Sequence, residues 1–153
     1  MPNEVENRRA FFRINLDIPM CGQLTILEVN GVEIRKGFTS ICIEDIGAGG
    51  VRFKSKLDIP KTDTARLGVK FKLYDKEYLL PASVVWKADV DGKFKRYGCK
   101  FEILDSEKEH YLGIFNRFSI SCAKRDHQSY NECNKSKCAL KQEKKYTIKV
   151  LKP

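Results

Sequence analysis

The stretch Glu44-Asp45-Ile46-Gly47-Ala48-Gly49-Gly50-Val51-Arg52-Phe53 decides how this chain is read. An apolar run, Ile41-Cys42-Ile43, leads into an acidic pair and then into three glycines within four positions. Val51 and Phe53 resume an alternating pattern, with Arg52 on the opposite face. The pattern predicts strand, tight glycine corner, strand, because glycine enters left-handed backbone regions without steric cost. The corner bares backbone amides beside one carboxylate, Asp45, at a strand end. That suits a binding site, and a tight hairpin with no ligand carries the same signature.

On either side of the corner the chain alternates as half-buried strands do. Upstream, Ile14, Leu16 and Ile18, then Leu24, Ile26 and Val29, run to Asn30-Gly31, a strong short hairpin signal, and Cys21-Gly22 marks an expected bulge or bend. Val32 and Ile34 begin the return. Downstream, a polar stretch with Pro60 predicts a loop. Leu67, Val69, Phe71 and Leu73 then alternate without a fault. After a turn at 74–77, Tyr78, Leu80, Ala82, Val84 and Trp86 do the same, which assigns Trp86 to the core rather than to a base-stacking platform. Asp91-Gly92 turns the chain into a last strand over 94–101. At Ser106-Glu107-Lys108-Glu109 a capping box is expected, followed by a helix with Tyr111, Leu112, Phe115 and Phe118 on one face. Six or so antiparallel strands with short hairpins favour a closed barrel, since closure removes exposed edges. The fold class is therefore all-β: a six-stranded antiparallel barrel closed by one C-terminal amphipathic helix.

At 153 residues there is room for one domain and an appendage. The net charge of +9 is unevenly placed: residues 121–153 hold nine Lys/Arg against three Asp/Glu, and the first 120 hold twenty against seventeen. The basic character is mostly that of the tail, so a general nucleic-acid surface on the body is not implied. No apolar run approaches a membrane span, and the acidic N-terminus lacks the apolar segment of a secretory signal. A cytoplasmic location is expected, with the six cysteines reduced or metal-bound rather than bridged.

Ahead of the first strand, Asn7-Arg8-Arg9-Ala10-Phe11-Phe12-Arg13 places Arg9 and Arg13 four apart, with Arg8 as a third guanidinium. A solvated basic arm is the plain reading. The sharper one is an anion clamp, because a guanidinium is a planar fork that matches a phosphodiester or the O6/N7 edge of guanine.

With these segments in place, residues 7–120 resemble a PilZ domain. That family's pattern is an Arg-x-x-x-Arg arm followed by Asp/Asn-x-Ser-x-x-Gly at a strand corner. Here these are Arg9-Ala10-Phe11-Phe12-Arg13 and Asp45-Ile46-Gly47-Ala48-Gly49-Gly50. Tyr97-Gly98-Cys99-Lys100-Phe101, running into the helix, is similar to the end of the family's barrel. The resemblance implies a domain that binds cyclic di-GMP, a bacterial second messenger. Arg9 and Arg13, with Arg8 beside them, would clamp phosphates and guanine edges. Asp45 would accept from a guanine, Gly50 would let the backbone approach, and Gly47 and Gly98 complete the ligand-binding positions. The family serine is Gly47 here. One lost neutral hydrogen bond weakens binding by about 0.5–1.5 kcal/mol, roughly two- to tenfold. The expectation is weakened but retained binding, and the alternative is an interaction protein of the same fold that has lost the ligand.

Three segments are thus expected: a flexible arm over 1–13, a barrel and helix over 14–120, and a basic tail over 121–153. In the tail, Cys122, His127, Cys133 and Cys138 are spaced Cys-x4-His-x5-Cys-x4-Cys, a donor set that suits tetrahedral zinc. The gaps are not those of a tight knuckle, and a basic tail with incidental cysteines is the favoured reading. Tyr146, Ile148 and Val150 alternate as a strand added to a barrel edge would. Cys21, Cys42 and Cys99 belong to strand patterns and are expected to be structural. An enzyme is not indicated, since neither a Ser/His/Asp set nor a phosphate loop is present. A nucleic-acid-binding barrel ranks last, because the aromatics mostly follow the inward alternation. What is expected is a binding module needing no cofactor, which orders its arm on cyclic di-GMP and passes that change to a partner protein.

Overall fold

A computed structural model describes residues 13–34, 37–59, 65–124 and 129–133. Seven strands form one antiparallel sheet: β1 (Ile14–Val29), β2 (Val32–Glu33), β3 (Thr39–Gly47), β4 (Gly50–Ser55), β5 (Ala65–Leu73), β6 (Lys76–Asp89) and β7 (Lys95–Phe101). The order β1-β3-β4-β7-β6-β5 closes on itself through β1–β5 pairing, so six strands make the barrel and β2 is a two-residue spur on β1. A 3-10 turn (Asp105–Glu107) leads into helix α1 (Lys108–Ala123). Among the described residues, no helix is long and apolar enough to cross a membrane.

The predicted alternations supply the core: Leu24 and Ile26, Ile41 and Ile43, Val51 and Phe53, Leu67 to Leu73, and Leu80, Ala82 and Val84 all point inward. Helix α1 adds Phe115 and Phe118, both fully buried, with Tyr111 and Leu112 packed at the margin. Phe71 links the layers, its ring 6.1 Å from Phe115 and 6.3 Å from Phe101. The β5–β6 turn grips the helix further along. The Tyr74 hydroxyl donates to the Arg117 carbonyl (3.2 Å), and the Arg117 guanidinium lies 4.7 Å over the Tyr74 ring.

Four local expectations change. The helix has no capping box: Ser106 lies inside the 3-10 turn, and neither that turn nor α1 has a side-chain cap hydrogen bond. Left-handed backbone is found at Asn30, Gly31, Tyr74, Asp75 and Gly92, the tips of the other hairpins, and not at the three corner glycines. The bend expected at Cys21-Gly22 lies earlier, between Asn15 and Met20, where Pro19 has no N–H to give a ladder. Trp86 is not in the core. A register shift between Val84 and Trp86 inserts Val85 as a bulge and turns the indole to the outer face, opposite Gly98.

Two segments assigned to loop and tail also enter the barrel's packing. Leu57 and Ile59 are buried beyond the end of β4, held by the Tyr97 hydroxyl, which accepts from the Ile59 N–H (2.7 Å) and donates to the Leu57 carbonyl (2.6 Å). Residues 129–133 lie along β1 and the end of β5. Cys21 N–H donates to Asn131 (2.8 Å), Cys133 N–H to Pro19 (2.7 Å) and Tyr74 N–H to Ser129 (2.9 Å), and Tyr130 packs edge-on against Phe118. The strand expected over 146–150 lies outside the described residues.

Tyr97→Phe removes a buried hydroxyl that two backbone groups depend on. The expected loss is about 1–3 kcal/mol, read as a lower urea midpoint with an unchanged slope. Burial pushes the Tyr97 phenol from 10.0 up to about 12. The folded state thus favours the protonated form, whose stabilisation is whole below pH 10 and is lost as pH rises through about 12. The advantage of the wild type over Tyr97→Phe should therefore shrink across that window in urea titrations at stepped pH.

Candidate functional site

The site is built on one irregularity in β3. Ile43 and Ile46 both face the core at 0 % exposure. Pairing with β4 shifts by one residue between Ile43 and Asp45, so Glu44 is a bulge. With inward residues on both sides, Glu44 and Asp45 both project to the outer face, where a regular strand would send one inward. Two adjacent carboxylates thus share one wall.

Guanidinium groups converge on them. Arg13, at the start of β1, brings Nη1 to 3.3 Å from Asp45 Oδ1. Arg52 places Nε 3.1 Å from Asp45 Oδ2 and 3.5 Å from Glu44 Oε1. That Nε is buried and aligned for a hydrogen bond to neither oxygen. Arg96 donates twice to Glu44, at 2.7 and 3.0 Å, and this bidentate carboxylate raises the Arg96 pKa above its usual value. Asp45 is almost wholly buried, while the Arg13 and Arg52 side chains remain about two-fifths exposed.

Strand register extends the site into a row. Asn15 lies opposite Asp45, Asp45 opposite Arg52, Arg52 opposite Gly98, and Gly98 opposite Trp86. Opposite residues share a face, so carboxylate, guanidinium, bare backbone and indole follow one another across the outer wall. Gly98 is required there: a Cβ would sit 2.0 Å from Trp86 Nε1, so the indole occupies the space that any side chain at that position would fill. Gly50 is required for a related reason, since its Cβ would come within 2.3 Å of the Cys99 carbonyl oxygen. The corner is a two-residue turn, Ala48-Gly49, closed by the Gly47–Gly50 pair. Beside the row runs a groove of about 850 Å³, whose lining includes Arg13, Gly49, Val85, Lys100, Lys108 and Leu112. Burial pushes the Cys99 thiol in this wall up to about 12, which keeps it protonated.

The structure therefore brings Arg13, Asp45, Gly47, Gly50 and Gly98 to one side of the barrel. Arg8 and Arg9 lie outside the described residues, as do His127 and Cys138. Cys122 is on α1, packed against the main core, and Cys133 packs with Cys42 on the outer wall, in a separate cluster. Among the described residues, no group of three or more His, Cys, Asp or Glu is arranged to hold a metal ion. Sequence reasoning missed Arg52, Arg96 and Trp86 as members of the site. The alternation did place Arg52 on the outer face, but its partner across β7 and the bulge at Val85 carry no local signal.

Comparison with known proteins follows the same outline. A search of curated proteins finds no match. The structure is similar to the Bacillus subtilis inhibitor of motility MotI/DgrA (TM-score 0.52, 13% identity, 72% of this chain and 51% of that one). It is also similar to Escherichia coli YcgR in complex with c-di-GMP (0.51, 13%, 79% and 50%) and to apo MrkH of K. pneumonia (0.50, 17%, 74% and 52%). The chain spans about half the length of these neighbours. At such identities the likeness is one of fold. The model of the PilZ domain family matches residues 7–115, most of the chain, and the protein belongs to that family.

Proposed function

We propose that this protein is a cytoplasmic receptor for cyclic di-GMP and passes the ligand's presence to a partner protein. The dinucleotide lies on the outer wall between the arm, with Arg8, Arg9 and Arg13, and the Asp45–Gly50 corner. One observation supports this above the others: the last arginine of the arm motif stands 3.3 Å from the corner's carboxylate, although the two lie 32 positions apart in the chain. The fold and the ligand of YcgR agree with it. The arginines supply forked donors to phosphate oxygens and guanine edges, and Asp45 accepts from a guanine's N1–H and amino group. Trp86, beside Gly98, offers a flat apolar face on which a base can stack. Signalling is by ordering: the ligand draws Arg9 against the wall beside Arg13, and the arm's new position is what the partner reads.

A second reading has its own support. Gly47 stands where the family motif has serine, and Arg13 and Arg52 already face the two Asp45 oxygens. A barrel that fills its own site with ion pairs would serve as a ligand-free interaction module.

Calorimetry with cyclic di-GMP separates the two, with GTP and the linear dinucleotide as controls. The receptor reading expects saturable binding to the wild type and about ten- to hundredfold weaker binding for Arg9→Ala and Arg13→Ala, the worth of a charge-assisted bond. Equal heats for wild type and Arg9→Ala would remove the arm from the mechanism. No heat from a folded wild type would leave the interaction module. Gly47→Ser should tighten binding by about two- to tenfold. Since Trp86 is the sole tryptophan, its emission should change over the same ligand range as the calorimetric heat.

A further inference from the structure

One row along the outer wall from Asp45 and Arg52, the outward positions hold sulfur. Cys21 on β1 and Cys42 on β3 are directly opposite partners, and Cys42 is in turn opposite Lys54 on β4. Cys133, from the 129–133 segment, packs with Cys42, and Cys21 and Phe94 lie against that pair. The segment is fastened beside them by the backbone bonds to Cys21 and Pro19 and by the Cys21 thiol, which donates to the Glu132 carbonyl at 3.8 Å.

The backbone fixes the spacing of the first two thiols. Antiparallel partners either exchange both backbone hydrogen bonds, with Cα atoms about 5.5 Å apart, or exchange neither, at about 4.5 Å. The Cys21 N–H is directed to Asn131, on the edge of β1 away from β3. Cys21 and Cys42 are therefore the closer, non-bonded kind of pair. A disulfide spans Cα separations of about 4.4–6.8 Å, so this pair already stands at bridging distance. Access is graded as well: Cys21 is half-buried, whereas Cys42 and Cys133 are buried.

We propose that Cys21 and Cys42 form a peroxide-sensitive dithiol site on the outer wall of the barrel. The Cys21 thiol loses its proton, and the thiolate sulfur attacks one oxygen of hydrogen peroxide; the O–O bond breaks, the leaving hydroxide takes up that proton as water, and Cys21 becomes a sulfenic acid. The Cys42 sulfur then attacks the Cys21 sulfur, the S–O bond breaks, and a second water leaves. Two electrons pass from the sulfurs to the peroxide, and two thiols become one disulfide. The bond staples β1 to β3 three residues before Asp45 and beneath the 129–133 segment. In a reducing compartment it is transient, as suits a sensor. Cys99 and Cys122 are poor candidates on the same chemistry, because burial pushes their thiols to about 12 and about 11. The inference does not depend on any ligand at the Asp45 site.

The test uses the full-length chain, reduced, desalted and titrated with hydrogen peroxide. Remaining thiols are then alkylated, and peptides are mapped by mass spectrometry without reduction. The expected product is a dominant Cys21–Cys42 linked pair, lighter by two hydrogen atoms and reversed by dithiothreitol. In Cys42→Ala that pair is lost and a dimedone adduct accumulates on Cys21, while Cys133→Ser retains the pair. Circular dichroism of each variant separates loss of the site from loss of the fold. A dominant link to any other cysteine, or oxidation of Cys42 with Cys21 left reduced, overturns the proposal. So does a Cys21–Cys42 link formed equally well by the urea-unfolded chain.

Discussion

The arrangement depends on two neighbouring carboxylates pointing the same way. Glu44 and Asp45 would face opposite sides of a regular strand, and one of them would be driven into a core of Ile43, Ile46, Val51 and Phe53. An unpaired buried carboxylate costs several kcal/mol or forces protonation. The bulge at Glu44 avoids this by adding one residue to β3, and it concentrates negative charge on the outer wall. Arg13, just before β1, and Arg52 and Arg96, on β4 and β7, answer that charge. Three guanidiniums over two carboxylates leave these five groups net positive.

The strength of these pairs differs in a way that bears on ligand entry. Arg96 is tied to Glu44 by two well-formed bonds, so this pair acts as a brace between β3 and β7. Arg13 meets Asp45 through one longer contact and is itself about two-fifths exposed, so its guanidinium is open to solvent on one side. Arg52 is close to both carboxylates yet aligned with neither. A polyanion that takes up the Arg13 and Arg52 guanidiniums would have to donate to Asp45 in their place, while the Arg96 brace keeps Glu44 in position. Pairing Asp45 in this way holds its carboxylate in place on the outer wall.

Much of the barrel was legible in the sequence, because period-two alternation records which face is buried. Leu67 to Leu73 shows it without interruption, and Asn30-Gly31 and Asp91-Gly92 mark turns that require left-handed backbone. The candidate site was legible where it rests on spaced motifs, as with Arg13 and Asp45. What escaped has a common cause. Alternation carried through Val85 points Trp86 inward, but the strand gains a residue there. Leu57 and Ile59 have the sequence of a loop, and their burial depends on the distant Tyr97 hydroxyl. Residues 129–133 have no period of their own, and their partners are backbone groups on β1 and β5. Each miss turns on a contact made across the fold, which local pattern does not record.

The same irregularities that defeat the pattern mark out the site. Of the register shifts in the barrel, one lies between Asn15 and Met20, one between Ile43 and Asp45, and one between Val84 and Trp86. Asn15, Asp45 and Trp86 each border a shift, and all three stand in the one row that also holds Arg52 and Gly98. A bulge costs ladder hydrogen bonds and twists its strand, and it is retained where a side chain must be re-aimed. Three of them flanking one row, on three different strands, are hard to attribute to barrel closure alone. The fourth shift, between Ile26 and Glu28 on the β1–β5 seam, borders no residue of the row. The wall between Asn15 and Trp86 is therefore the part of the barrel where regular pairing has been given up to present polar and aromatic groups outward.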